Sequence, residues 1–318
     1  MVASKQNLAL TIAISLLCFF VSAGSRAQQN PFSRAGSLKE ARRGFHTHLV
    51  PQKERKQPVD RAPAALFRMI KYPSSVGELA AYLTPDPKDG AKHPAIIWIT
   101  GGDCNSIGDV WSPAPRSNDQ TAAAYRKAGI VMMFPSLRGG NTNPGIKEGF
   151  LGEVDDVLAA ADYLAKQPYV DSNRIYLGGH STGGTLAMLV AECSSRFRGV
   201  FAFGPAADVG MYGEESGFLP FNVSDRKEIV LRSPYYWLSS IHSPVWVLEG
   251  SEGNQSSLRL MQKAPHPASV SFIEIAGIGH FATLAPTNPL IARKIVQDTG
   301  AKSQLSLSAA EVNSLFKH

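Results

Sequence analysis

Ser181 stands in the run Arg174-Ile-Tyr-Leu-Gly-Gly-His-Ser-Thr-Gly-Gly-Thr-Leu-Ala-Met-Leu189, which contains Gly179-x-Ser181-x-Gly183. An apolar stretch reading as a strand leads into it, and an apolar stretch reading as a helix leaves it. In that setting the serine occupies a tight turn, with Oγ at the carboxyl edge of a sheet and at the N-terminus of a helix whose N–H groups favour developing negative charge. The chemistry it suits is nucleophilic attack on a carbonyl, and a serine hydroxyl needs a base for that. His280 has the address expected of such a base, because it follows the strand-like run Val270 to Ile275 through Ala276-Gly-Ile-Gly279. His180 touches the serine in sequence but is expected to point elsewhere. His46, His48 and His93 precede the core or border an early strand.

A third group should orient the base and stabilise its cation. The loop after the run Pro244 to Gly250 is Ser251-Glu-Gly-Asn254, which makes Glu252 the leading acid. Asp208, after the run Gly199 to Phe203, is the alternative, and Glu249 at the end of the later strand is a third candidate. Charge developing on the carbonyl oxygen needs two donors. One is expected from the backbone N–H of Thr182, directly after the nucleophile. The other is expected from Gly102 or Asp103, in the glycine turn Gly101-Gly-Asp103 that follows the strand Ala95 to Thr100.

These positions require a scaffold of alternating strands and helices. Short, almost wholly apolar strands are expected at Ala95 to Thr100, Ile130 to Pro135, Ile175 to Gly178, Gly199 to Phe203, Val245 to Glu249 and Val270 to Ile275. Such runs suit strands covered on both faces. Helical segments are expected at Asn118 to Ala128, Glu153 to Gln167, Gly183 to Cys193 and Asn288 to Asp298. Two earlier strands flank the turn Ser74 to Gly77, and Ser308-Ala-Ala-Glu311 is a capping-box start for a short final helix. The fold class is therefore α/β, a mostly parallel doubly wound sheet flanked by helices.

Before this core, Lys5 precedes an uncharged apolar run from Leu8 to Ala23 and the small-x-small pattern Ser25-Arg-Ala27, the layout of a signal peptide. The expected organisation is a leader at 1–27, a basic flexible linker at 28–63, a catalytic domain at 64–300 and a tail with a short helix at 301–318. The chain would then be secreted or periplasmic, with no membrane span once the leader is removed; the alternative is a leader retained as an anchor. A net charge of +6 over 318 residues is modest and concentrated near the N-terminus, so nucleic acid is not implied. Cys104 and Cys193 lack framework spacing and read as free buried thiols. There is no H-E-x-x-H, paired C-x-x-C or phosphate loop, so neither metal nor cofactor is expected.

From about Phe67 to Val296 the chain resembles the catalytic domain of the prolyl oligopeptidase family, with dienelactone hydrolases as near neighbours. The carriers are Ile97-Trp-Ile-Thr-Gly-Gly102, Phe134-Pro-Ser-Leu-Arg-Gly-Gly140, the segment from Glu153 through Asp171 and Arg174 into the serine turn, Ser233-Pro-Tyr-Tyr236, and Pro244 to Gly250. The resemblance implies an α/β-hydrolase fold and a Ser, Asp, His order in which Ser181 and His280 take the first and last places. Where the family has its Asp, this chain has Gly253, with Glu252 one place earlier; Glu249 replaces a commonly seen histidine. Too few residues precede Phe67 for the β-propeller of many members, so access would rest on local loops, chiefly Gly204 to Ser243. The expected activity is serine hydrolysis of a peptide, amide or ester bond in a small molecule or short peptide. The alternatives are a carboxylesterase or dienelactone-type hydrolase, and a non-catalytic secreted binding protein on the same fold.

Overall fold

The computed structural model describes residues 30–50, 52, 56–213 and 218–317, and the expected leader at 1–27 lies outside them. Eight strands form one sheet: β1 (Arg68–Ser74), β2 (Gly77–Leu83), β3 (His93–Ile99), β4 (Val131–Pro135), β5 (Val170–His180), β6 (Val200–Phe203), β7 (Val245–Gly250) and β8 (Val270–Ile275). Their order is β1-β2-β4-β3-β5-β6-β7-β8. The first two strands are an antiparallel hairpin closing on β4, and every pairing from β4 to β8 is parallel. This is the α/β-hydrolase architecture. The order reverses between β3 and β5, so the loops leaving their carboxyl ends diverge and open a crevice there.

The central strands are apolar throughout because both faces are covered. Ala95, Ile97 and Ile99 of β3 face one core, and Ile96 and Trp98 face the other, as period-two alternation requires. On the first face lie α1 (Leu38–Ala41), α3 (Glu153–Ala165), α4 (Thr182–Cys193), α5 (Arg226–Val230) and α6 (Gln255–Lys263). On the second lie α2 (Ala123–Lys127), α7 (Leu284–Gln297) and α8 (Ala309–Ser314). The helix α6 was not legible in sequence; it buries only Leu258, Met261 and the small Ser257. Helix α7 begins four residues before the expected Asn288. Pro286 is tolerated because it falls in the first turn, where a backbone N–H has no intrahelical acceptor. The final helix carries its expected cap, with Ser308 Oγ accepting the Glu311 N–H at 3.1 Å.

Part of the segment expected as a flexible linker, from Phe32 to His48, is instead packed, and the compact unit begins at Pro31. Leu38 is fully buried against α4, and Phe32 packs edge-on against Phe45 with ring centroids 6.2 Å apart. Arg42 donates to the Leu151 carbonyl at 2.8 Å and to Asp155 at 2.9 Å. The His48 N–H and the Thr47 hydroxyl both reach Glu228. The apolar residues here are single and widely spaced, so no helical or strand period betrays them. Cys104 and Cys193 are buried free thiols, and burial pushes the Cys193 thiol up to about 11. Among the described residues no helix is long and apolar enough to cross a membrane.

The sheet is tied to the C-terminal segment through Asp298, 3% exposed, just past α7. Its carboxylate accepts from Arg198 Nε (2.7 Å) and Nη2 (2.9 Å), the Tyr176 hydroxyl (2.7 Å), the Ser303 hydroxyl (2.8 Å) and the Gln304 N–H (2.9 Å). Burial pushes this carboxyl up, but the donors outweigh it and hold it well below its ordinary 3.8. Asp298→Ala leaves the Arg198 guanidinium buried without its anion, a loss of about 3–5 kcal/mol in a urea melt at pH 7. Because the folded-state value is depressed, the stabilisation is present above the unfolded value and is lost as pH falls through the folded one. The wild-type advantage therefore shrinks below about pH 4. An unchanged melt at pH 7 would refute this account.

Candidate active site

The turn between β5 and α4 holds Ser181 at φ 55°, ψ −116°, a conformation an L-residue adopts only under constraint. Two close approaches impose it. A methyl on Gly179 would lie 2.3 Å from the Gly183 carbonyl oxygen, and one on Gly183 would lie 2.2 Å from the Ile99 carbonyl oxygen. The Ser181 N–H donates to the Phe203 carbonyl at 2.7 Å, tying the turn to the end of β6. Ser181 thus precedes the first N–H groups of a twelve-residue helix.

His280 lies on the loop after β8, and its Nδ1 is 2.7 Å from Oε2 of Glu249, the penultimate residue of β7. The carboxylate is buried, and its other oxygen, Oε1, accepts the Gly250 N–H at 2.6 Å. Two glycines make the space for this pair. A methyl on Gly204 would lie 2.3 Å from His280 Cε1 and 2.7 Å from Glu249 Oε2, and one on Gly253 would lie 2.5 Å from Glu249 Oε1. Ser181 and the His280 ring therefore both abut the Phe203-Gly204 peptide.

This corrects the ranking of acids, because the partner of His280 is the third candidate. Glu252 is exposed, and its backbone N–H donates to the Ile278 carbonyl at 3.0 Å. Asp208 is engaged elsewhere: one carboxylate oxygen caps the Gly210 N–H at 2.9 Å, and the other accepts the Tyr236 hydroxyl at 3.1 Å beside Arg226. The signal for Glu249 lay in two departures from the family pattern. Gly253 occupies the acid's usual place, and an acidic residue appears at the strand end. Together they move the carboxylate from loop to strand, with Gly253 vacating the volume it fills.

The loop after β3 borders the same turn. Thr182 Oγ donates to the Gly102 carbonyl at 2.9 Å, and Asp103 pairs with Lys147 at 3.1 Å. The Gly101 N–H is taken by Gln120 Oε1 at 3.2 Å, while the N–H groups of Gly102 and Asp103 meet no acceptor among the described residues. Asn105 braces this loop. Its carbonyl accepts the Leu137 N–H, and its side chain reaches the Arg138 carbonyl and Glu153. Arg138 is itself held on Asp156 by two bonds of 2.9 Å.

The described residues of the insertion Gly204 to Ser243 pack largely into the core and bring Tyr212 to the turn. The Tyr212 hydroxyl lies 2.7 Å from Thr185 Oγ, one helical turn beyond Ser181, and its ring stacks on Phe150 at 5.7 Å. His180 departs from expectation. It is fully buried, and its ring centroid lies 4.5 Å from that of His280. Among the described residues no cluster of three or more His, Cys, Asp or Glu side chains is placed to hold a metal ion.

The sheet order and the serine turn between β5 and α4 are those of the α/β-hydrolase fold, with a histidine–carboxylate pair beside the turn. Residues 116–246 match the model of the prolyl oligopeptidase family, the family the sequence resembles. It is 33% identical over 125 residues to prolyl oligopeptidase A of Amanita bisporigera, covering 37% of this chain and 15% of that protein. It is 25% identical over 190 residues to an uncharacterized peptidase of Bacillus subtilis (strain 168), covering 56% of this chain and 70% of the relative. Among solved structures, an acylaminoacyl peptidase of Pyrococcus horikoshii superposes with a TM-score of 0.58 at 16% identity, covering 79% of this chain and 44% of the other. That similarity is one of fold.

Proposed function

We propose that the chain hydrolyses a peptide, amide or ester bond through an acyl-enzyme on Ser181. The observation that carries this is the 2.7 Å contact between His280 Nδ1 and the buried Glu249 carboxylate, beside the strained serine turn. A carboxylate on Nδ1 keeps the proton there and leaves Nε2 as the basic nitrogen. Ser181 Oγ attacks the substrate carbonyl while Nε2 takes its proton. The oxyanion forms against the Thr182 N–H and an N–H of Gly102 or Asp103, and the buried carboxylate stabilises the imidazolium. Nε2 then protonates the leaving amine or alcohol. Water, activated by the same nitrogen, attacks the acyl carbon, and the carboxylic acid departs with Ser181 restored.

The domain match and the peptidase names of the relatives support a peptide or amide substrate, small enough to pass the loops around the crevice. The test is a serine-directed fluorophosphonate on the folded chain, followed by turnover of p-nitrophenyl esters against Xaa-Pro amides. A single mass addition on Ser181 and measurable turnover are expected, and the ratio of the two rates ranks the bond classes. A folded chain that takes no label and turns over neither substrate would show instead a binding protein on a hydrolase fold.

A further inference from the structure

His180 is the one buried histidine of this region that the proposed chemistry leaves without a task. Its Nδ1 lies 2.8 Å from Nε2 of Gln120, and its Nε2 lies 3.3 Å from the His280 carbonyl oxygen. Gln120 Nε2 also donates to Asn118 Oδ1 at 2.9 Å, and Gln120 Oε1 accepts the Gly101 N–H at 3.2 Å. An amide nitrogen only donates, so Nδ1 of His180 must accept and its proton must sit on Nε2, where it donates to the His280 carbonyl. One chain of hydrogen bonds therefore runs from the loop after β3, through Gln120 and His180, to the backbone of the histidine on the loop after β8. The Thr283 hydroxyl is a second donor to that carbonyl, at 3.1 Å.

We propose that Gln120 and His180 form a positioning pair that fixes the oxyanion loop and the His280 backbone relative to Ser181. The inference rests on the serine hydrolase reading above. Burial, reinforced by the neighbouring His280, pushes the His180 imidazole down to about 3. A neutral ring stays beside His280 at working pH, so the imidazolium formed during acylation meets no second cation. Neither residue touches the reacting atoms. Their contribution is geometric: an ångström of drift between base and oxyanion donors costs about 10²-fold in rate.

Two substitutions at one position separate hydrogen bonding from packing. His180→Phe keeps a ring and removes both hydrogen bonds, whereas His180→Gln removes the ring and keeps an amide N–H for the His280 carbonyl and an oxygen for Gln120. On a p-nitrophenyl ester, His180→Phe is expected to lower kcat at least tenfold with KM changed less than about twofold, and His180→Gln to recover most of the loss. Gln120→Leu, at a partly exposed position that tolerates change, is expected to match His180→Phe. The double variant should be no worse than either single one, as for residues acting as a unit. Wild-type kcat in His180→Phe, or losses from the two positions that multiply, would overturn the pair while leaving Ser181 labelling and the hydrolase reading intact. A wild type that neither labels nor turns over would end both.

Discussion

Glu249→Gln is expected to lower kcat on a p-nitrophenyl ester by about 10⁴-fold while Glu252→Gln stays near wild type, the contrast a misoriented imidazole produces. The direction follows from which atom faces which. Oε1 of Glu249 accepts the Gly250 N–H at 2.6 Å, so a glutamine keeps its carbonyl oxygen there and presents its NH2 to Nδ1 of His280, 2.7 Å from Oε2 in the wild type. That amide donates, Nδ1 becomes the acceptor, and the imidazole proton moves to Nε2, the nitrogen that must take the serine proton. The turn, the oxyanion loop and the fold are untouched, so Tm should change little. Asp208→Asn should retain most activity, since its carboxylate serves the Gly210 cap and Tyr236. Equal activity in Glu249→Gln and wild type, with loss in Glu252→Gln, would return the acid to the loop.

Ser181→Ala removes the proposed nucleophile, and kcat should fall by about 10⁶, with His280→Ala costing about as much and the double variant no more than either. Such non-additivity is the mark of residues that work only together, and full kinetics of the three variants measure it. Stability should move the other way in Ser181→Gly. The native φ of 55° is strained for a residue with a Cβ and open to glycine, so relief of the turn is worth about 1 kcal/mol in a urea melt despite the greater freedom of an unfolded glycine. A Ser181→Gly variant that is less stable than wild type would show that the turn is not strained, and residual turnover above background in Ser181→Ala would show that another residue attacks the carbonyl.

The strands were legible because those buried on both faces are written as apolar runs, and a run such as Ile96-Ile-Trp-Ile99 has no other plausible home. The packed segment from Pro31 was not. Its anchors, Phe32, Leu38 and Arg42, find their partners more than a hundred residues away on α3, on α4 and near α5, and no local period encodes such pairings.

The sequence by itself placed Ser181 in a strand-to-helix turn and His280 on the loop after the last strand. The turn needs glycines two residues before and two residues after the serine, at 179 and 183, and a histidine on the loop after the last strand is placed by chain order alone. Which carboxylate meets that histidine was decided only in three dimensions. Glu249, Glu252 and Asp208 all lie near strand ends in sequence, but β7 and β8 pair in register through Glu249 and Glu274, and the loop carrying His280 folds back over Gly250 and Gly253. Only the side chain pointing from the strand end into the hollow left by Gly204 and Gly253 reaches Nδ1. Tertiary structure likewise turned His180 inward: nothing in the order of residues states that the ring beside Ser181 will pack at a tilt against His280 and donate to its backbone. Local chemistry is carried by neighbours in the chain. Relative orientation is carried by contacts between loops that the sheet brings together.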